Sequence, residues 1–185
     1  MIRSLFINKE ALEKGANRPA APDQSVRKLG VIGAGMMGAG IAYVSAMAGI
    51  EVVLIDSSQE AAERGKSYST GLLDKAISRG KSTEEKKTEL LSRITPTTDY
   101  AALAGCDLIV EAVFEDPKVK AEVIAKVEAV VGPKTIFGSN TSTLPITGLA
   151  EHSERPKNFI GIHFFSPVEK MLLVEIIMAK KTGKK

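Results

Sequence analysis

The sequence predicts an α/β fold, in which a doubly wound, mainly parallel sheet carries helices on both faces. Short apolar runs typical of strands alternate along the chain with longer runs that have helical spacing. The strand-like runs are apolar throughout, as expected for a parallel sheet that is covered on both sides. With 185 residues, 44% of them apolar and 25% charged, the chain can build one such domain with a sizeable core.

A leader precedes the predicted domain. Residues 1–26 are predicted to be a linker segment with a short helix over 4–14, which Ser4 can cap. The run GANRPAAPDQSV follows, and its glycine and two prolines break the helix. We therefore assign the main domain to residues 27–185.

The first half of the domain contains three predicted strands and three predicted helices. KLGVIG and EVVLID are buried strands, and MMGAGIAYVSAMAG between them has the spacing of a helix that Gly49 ends. The spacing in SSQE, residues 57–60, predicts a capping box that opens a long polar helix to about residue 79. STEE, residues 82–85, predicts the same for a short helix to about 91. SRIT is a brief strand that Pro96 stops.

The second half continues the alternation. CDLIVEAV is the clearest central strand, and Asp116 is expected to cap the next helix with Pro117 at its first position. KTIFGSN, NFIGIHFF and MLLVEII are further strands, and PITGLA is a short helix. Ligands of such sheets bind beyond the carboxyl ends of the strands, so the residues just after each strand are the candidates for function.

Composition and charge exclude several classes of function. The net charge is only +3, and no basic stripe with interleaved aromatics indicates nucleic acid. The single cysteine, Cys106, cannot form an internal disulfide, no Cys/His cluster suggests a metal, and we interpret Cys106 as a small apolar residue at a strand entrance. No apolar run approaches the ~20 residues that span a membrane. The start MIRSLFINKEALEKG lacks the apolar core of a signal peptide, and its Glu10 and Glu13 do not fit a transit peptide.

A GxGxxG motif follows the first strand and opens a helix. Gly33 permits the tight turn, Gly35 lets the backbone approach a pyrophosphate, and Gly38 lets the helix pack close to the strand. Asp56 ends the second strand at the spacing expected for a Rossmann-type dinucleotide-binding fold. Its carboxylate would accept hydrogen bonds from a ribose and repel a 2′-phosphate, which favours NAD over NADP. The alternative is a plain tight turn with Asp56 as a helix cap.

Two further groups of polar residues lie at the same predicted edge. Asn140 and Ser142 follow the strand KTIFG, although turn formation and capping would also explain them. His163 ends a strand, and Glu175 faces it if the next strand returns alongside. A carboxylate on one ring nitrogen would leave the other nitrogen as a base, whereas the alternative is a buried pair without a catalytic role. His152, in the polar loop EHSERP, is expected to be solvated.

Four motifs in order resemble the NAD-binding domain of L-3-hydroxyacyl-CoA dehydrogenases: VIGAGMMGAGIAYVSAMAG, LIVEAVFEDPKVK, SNTSTLPI and GIHFFSPVEKMLLVEII. The resemblance runs from about residue 28 to 178. It implies that His163 is the catalytic base, that Glu175 orients it, and that Ser142 binds the substrate oxygen. The nicotinamide half of the site would be lined by Ala112, Glu115, Lys120 and Asn140.

The leader RSLFINKEALEKGANRP resembles the linker of multifunctional α-subunits of fatty-acid β-oxidation complexes. This implies NAD-dependent oxidation of L-3-hydroxyacyl-CoA to 3-oxoacyl-CoA. It also implies an enoyl-CoA hydratase domain before this one, a helical domain after it that is absent from this chain, and a thiolase subunit as a further partner. Without the helical domain, the chain alone is expected to bind NAD and to turn over substrate poorly. The compartment would be the cytoplasm in a bacterium or an organelle matrix in a eukaryote.

One position departs from part of the family. Many single-function members have asparagine where this chain has Ser166, whereas several multifunctional members carry serine. The alternatives are therefore a single-function 3-hydroxybutyryl-CoA dehydrogenase, which the leader disfavours, and a non-catalytic NAD-binding module. Such a module would have no reason to keep Ser142, His163 and Glu175 together.

Overall fold

The computed structural model describes residues 25–183, so the helix predicted over 4–14 lies outside the described residues. The strands are β1 Lys28–Ile32, β2 Glu51–Ile55, β3 Ile94–Thr97, β4 Leu108–Glu111, β5 Ile136–Ser139, β6 Phe159–Phe164 and β7 Val174–Met178. The α-helices are α1 Met36–Met47, α2 Gln59–Ser78, α3 Glu84–Ser92, α4 Pro117–Glu128 and α5 Ile146–Ala150.

These strands form one sheet in the order β3-β2-β1-β4-β5-β6-β7. Neighbouring strands are parallel except for β6 and β7, which are antiparallel. The predicted doubly wound, mainly parallel α/β fold is confirmed. The winding reverses between β1 and β4, and the crevice at such a reversal is where these sheets bind ligands.

Each face of the sheet has its own core. Neighbouring residues of one strand point to opposite faces, so Val31 packs with α1, α2 and α3, whereas Ile32 packs with α4 and α5. This explains why the strands are apolar throughout. Cys106 belongs to the second core, as predicted for a small apolar residue, and burial raises the pKa of its thiol to about 11.

Local sequence signals place most helix ends. The Asp116 carboxylate accepts from the backbone N–H of Lys118 at 2.8 Å, and Pro117 is the first helical residue, as predicted. The predicted caps of α2 and α3 were wrong by one residue. Ser58 and Thr83 are the N-caps, and the Ser57 hydroxyl instead donates to Asp56 at 3.0 Å.

The prediction that Pro96 stops β3 was also wrong. The strand continues to Thr97, with Pro96 opposite Leu54. Since β3 is an edge strand, one of its sides needs no hydrogen-bonding partner, and the missing N–H of proline is tolerated. At the other edge, β7 starts at Val174, and its residues are exposed on both faces of the sheet.

Candidate active site

The glycine-rich turn after β1 is held close to neighbouring backbone. Gly33 has a φ of +95°, and a side chain there would meet the Ala112 carbonyl oxygen, which lies 2.6 Å from a hypothetical Cβ. At Gly38 a Cβ would lie 1.7 Å from the Gly33 carbonyl oxygen. Both positions therefore require glycine. A Cβ at Gly35 would meet nothing within 4 Å, so the open side of the turn leaves room for a ligand to approach the backbone.

Helix α1 points its N-terminus at this open space. Its N-cap is Gly35, which contributes no side-chain hydrogen bond, and its first turn carries no acidic residue. The free N–H groups and the positive end of the helix dipole suit an anion such as a pyrophosphate. The turn opens into a cleft of about 1090 Å³, a volume that accommodates a dinucleotide. The residues present therefore fit NAD.

Asp56 lies on the wall of this cleft at the carboxyl end of β2. One carboxylate oxygen accepts from the Ala34 N–H at 2.7 Å, and the other accepts from the Ser57 N–H at 2.6 Å. Because Ser58 caps α2, the alternative role of Asp56 as a helix cap is not observed. Arg64, which sequence reasoning missed, also lines the cleft, and its guanidinium bonds the Glu60 carboxylate at 2.6 Å.

His163 is held between a carboxylate and a hydroxyl. The antiparallel register sets it opposite Glu175, and its Nδ1 lies 2.8 Å from Glu175 Oε2. Its Nε2 lies 3.2 Å from the hydroxyl of Ser142, which follows β5. A carboxylate at Nδ1 selects the tautomer with a proton on that nitrogen, leaving Nε2 as the acceptor. The ring is 17% exposed and packs against Phe165, with 4.6 Å between the ring centroids.

The backbone around Ser142 is fixed by Glu115. The Glu115 carboxylate accepts from the Ser142 N–H at 2.8 Å and from the Thr141 hydroxyl, and it forms an ion pair with Lys120 at 3.1 Å. Burial would raise the pKa of Glu115, but the hydrogen bonds from Thr141 and Lys120, the charge of Lys120 and the Ser142 N–H lower it to about 2. Glu115 is therefore ionised near neutral pH, and it anchors the loop that carries Ser142.

Lys120, which the resemblance implied for the nicotinamide half of the site, is buried behind Glu115. It is 1% exposed, and its ammonium bonds Glu111 at 2.7 Å inside the protein, so it reaches the site through Glu115 rather than from the cleft wall. Glu111, at the end of β4, also accepts from the buried Ser139 hydroxyl at 2.8 Å. Sequence reasoning missed Glu111, although an acid at the end of the apolar run LIVE signals a buried partner just as Glu175 does.

Of the remaining predicted residues, one lines the cleft and the other connects strand ends. Ala112 lines the cleft directly after β4. The Asn140 side-chain oxygen accepts from the Phe164 N–H at 2.8 Å, and the Asn140 N–H donates to the Glu111 carbonyl at 2.8 Å. Asn140 therefore ties together the ends of three neighbouring strands.

Among residues 25–183, no group of three metal-ligating side chains is found, and no helix is long and apolar enough to cross a bilayer.

The fold and the site together define a Rossmann-type dinucleotide-binding domain that carries a histidine–carboxylate pair at the same sheet edge. Residues 28–185 match the profile of the 3-hydroxyacyl-CoA dehydrogenase NAD-binding domain, and the chain belongs to this family. The predicted resemblance is confirmed, and NAD is the cofactor of the family.

A curated relative and two solved structures illustrate the similarity. The fatty acid oxidation complex subunit alpha of Idiomarina loihiensis is 45% identical over 180 residues, which are 97% of this chain and 25% of that subunit. The (S)-3-hydroxybutyryl-CoA dehydrogenase of Ralstonia eutropha is 39% identical, with a TM-score of 0.83 over 86% of this chain and 56% of that one. The dehydrogenase part of multifunctional enzyme 1 from C. elegans is 30% identical, with a TM-score of 0.80 over 98% and 43% of the two chains. The chain thus spans about a quarter of the curated relative and about half of the solved ones.

Proposed function

We propose that this chain is the cofactor-binding part of a multifunctional enzyme that oxidises L-3-hydroxyacyl-CoA to 3-oxoacyl-CoA with NAD in fatty-acid β-oxidation. The observation that carries the proposal is the connected row of Ser142, His163 and Glu175 at the sheet edge that also holds the glycine-rich turn. Family membership supplies the substrate class.

The geometry suits removal of a proton from a secondary alcohol. His163 Nε2 is free of the Glu175 hydrogen bond, so it can accept the proton of the substrate 3-hydroxyl. The Ser142 hydroxyl, 3.2 Å from that nitrogen, holds the same oxygen. Glu175 then stabilises the imidazolium, as carboxylates do in other histidine-based sites. Bound NAD supplies the acceptor for the C3 hydride.

Glu115 supports this arrangement without taking part in it. By accepting from the Ser142 N–H, it sets the position of the serine relative to His163. Since reacting groups must be placed to within a fraction of an ångström, an anchored loop favours turnover more than a mobile one. The general-base step itself accounts for about 10²–10⁴-fold of the rate.

The multifunctional context rests on the similarity to the α-subunit, which is 45% identical over 97% of this chain. In that context a hydratase domain, a helical domain and a thiolase subunit are partners of this domain. A single-function 3-hydroxybutyryl-CoA dehydrogenase is the second candidate, because the Ralstonia eutropha enzyme has nearly the same fold. Ser166 in place of asparagine favours the first. Activity with long-chain as well as four-carbon substrates would support it further.

The test uses the full-length protein, with acetoacetyl-CoA reduction by NADH as the assay and NADH fluorescence as a separate measure of binding. His163→Gln should retain NADH affinity and lose about 10²-fold or more in kcat. Glu175→Gln should lower kcat as well, because an amide does not stabilise an imidazolium as a carboxylate does.

His152→Gln is the matched control, because His152 is exposed in the loop before β6. Near-normal turnover in His163→Gln would show that the base has been assigned to the wrong residue. Equal losses in both histidine variants would point to a structural effect instead.

A further inference from the structure

The loop between β6 and β7, residues 165–173, is fastened to the two helices that border the cofactor cleft. The Ser166 hydroxyl lies 3.8 Å from the Met36 sulfur at the start of α1. The Glu169 carboxylate accepts a hydrogen bond from the Tyr68 hydroxyl of α2 at 2.9 Å. Val168, between them, is 6% exposed and belongs to the core on the α1 side.

Two features make this attachment close and specific. Val168 packs against Gly40 of α1, where an added Cβ would lie 2.9 Å from the Val168 Cβ. Only glycine at position 40 allows the loop to approach the helix this closely. Burial raises the pKa of the Tyr68 phenol, and its hydrogen bond to Glu169 and the charge of that carboxylate raise it further, so the phenol remains a donor. The bond joins residues 101 positions apart in sequence.

The loop lies between the His163–Glu175 pair and the cofactor cleft. It begins two residues after His163 and leads into the strand that carries Glu175. Its anchor Tyr68 lines the same cleft as the glycine-rich turn and Asp56. A displacement of the loop would therefore move the end of β6 relative to the cofactor-binding helices, and the proposed mechanism does not use either anchor residue.

We propose that Tyr68 and Glu169 are positioning residues that lock the β6–β7 loop onto the cofactor-binding helices and thereby couple dinucleotide binding to the placement of His163. This inference rests on the proposed function, because it assigns the dinucleotide to the cleft. Binding NADH should then tighten the loop, and locking the loop should strengthen NADH binding to the same extent, since such coupling is reciprocal.

The experiment combines NADH fluorescence titration with amide hydrogen exchange. The reporters are the Lys170 and Met171 amides, which donate to the Pro167 carbonyl at 3.0 and 3.2 Å in the turn beside Glu169. In Tyr68→Phe, which removes one hydroxyl, exchange of these amides should accelerate about tenfold without ligand. The Kd for NADH should rise about fivefold, and NADH should no longer slow the exchange.

Two further variants distinguish the effect of the Tyr68–Glu169 hydrogen bond from that of general packing. Glu169→Gln keeps an acceptor oxygen for the Tyr68 hydroxyl, so its amide exchange and its Kd for NADH should match those of the wild type. Glu169→Ala should show the same changes as Tyr68→Phe. Tyr43→Phe is the matched control. Burial raises the pKa of this α1 phenol and the nearby Glu169 charge raises it further, but the Tyr43 hydroxyl forms no hydrogen bond within residues 25–183.

The proposal is overturned if the wild type binds NADH while Tyr68→Phe matches Tyr43→Phe in exchange and affinity. A wild type that binds no NADH would overturn the coupling and the proposed function together. The two failures are therefore distinguishable.

Discussion

We propose that Asp56 sets cofactor preference, because it places a carboxylate on the cleft wall at the end of β2. A 2′-phosphate beside this carboxylate would be repelled, and the nearby Arg64 is already paired with Glu60. Asp56→Ala should therefore weaken NADH binding and improve the ratio of NADPH to NADH affinity by about tenfold, equivalent to about 1.4 kcal/mol.

Fluorescence titration with both cofactors measures this ratio. Asp56→Asn is the companion variant, since it removes the charge and keeps one of the two acceptor oxygens that the Ala34 and Ser57 N–H groups use. It should improve the ratio with a smaller loss of NADH affinity than Asp56→Ala. Equal binding of both cofactors by the wild type would contradict the role given to Asp56.

The histidine and the glutamate of the two apolar strands are hydrogen-bonded to each other. A lone ionisable group in an apolar strand is unfavourable, but His163 and Glu175 lie opposite each other and share a 2.8 Å contact. Glu175 remains half-exposed because β7 is an edge strand. Neither side chain is therefore buried without a partner, and the pair stays partly exposed at the sheet edge.

At the scale of elements, the ion pair between Glu111 of β4 and Lys120 of α4 joins strand to helix. Both side chains are 1% exposed. Lys120→Met would leave the Glu111 carboxylate buried without its main partner, which should lower the free energy of unfolding by about 3–5 kcal/mol. Urea denaturation measures the loss.

Two companion variants sharpen this prediction. Lys118→Met, on the exposed side of the same helix, should change stability by no more than about 0.5 kcal/mol. The double variant Lys120→Met with Glu111→Gln should recover part of the loss, because it removes the unpaired charge. A Lys120→Met protein as stable as Lys118→Met would refute the importance of the pair.

Glu115 links α4 to the loop after β5, and this link should depend on pH. The folded-state pKa of Glu115 is about 2, below its ordinary value of 4.5, so ionisation stabilises the folded protein. That contribution is complete above about pH 4.5 and decreases as the pH falls toward 2.

Stability measured by denaturant between pH 6 and pH 2.5 tests the link. The loss of stability on acidification should be smaller in Glu115→Gln, which has no carboxylate to protonate. Parallel pH profiles of stability for the two proteins would show that folding does not lower the pKa of Glu115.

At the scale of the whole molecule, the edge strand and the loop before it present an apolar surface. The side chains of Met171, Leu172, Leu173, Val174, Ile176, Ile177 and Met178 are all exposed, Leu172 by 89%. Contiguous apolar surface of this kind is typical of an interface. We propose that in the longer protein the helical domain of the family covers it and closes the cleft above Ser142 and His163.

The proposal predicts that the 185-residue chain binds NADH, associates with itself, and reduces acetoacetyl-CoA at least about 10²-fold more slowly than the full-length protein, since positioning and water exclusion are incomplete. Sedimentation and turnover of the two proteins test it. Leu172→Lys with Ile176→Lys should reduce self-association of the short chain. Equal turnover by the short and the long protein would contradict a role for the second domain.

Local signals in the sequence are enough to predict the fold class and the cofactor end of the site. Apolar runs of strand length, helical spacing and the Asp116–Pro117 start are local signals, and each acts within a few residues of the structure that it specifies. GxGxxG and Asp56 are equally local, because the turn and the end of the next strand are set by backbone requirements in one βαβ unit. The resemblance added the roles of residues that local signals leave open.

Which polar groups meet depends on packing between elements that are remote in sequence. Two pairs illustrate this: Lys120 with Glu111 inside the protein, and Tyr68 with Glu169 across 101 residues. The pairing of His163 with Glu175 was expected on the condition that β7 returns alongside β6, and the strand register sets the two residues opposite each other. The one-residue errors in the caps and the strand through Pro96 have the same origin. In each case several side chains or conformations were locally equivalent. The choice among them depended on burial, edge position and the distance between elements that are remote in sequence, and packing sets these quantities only after the sheet has formed.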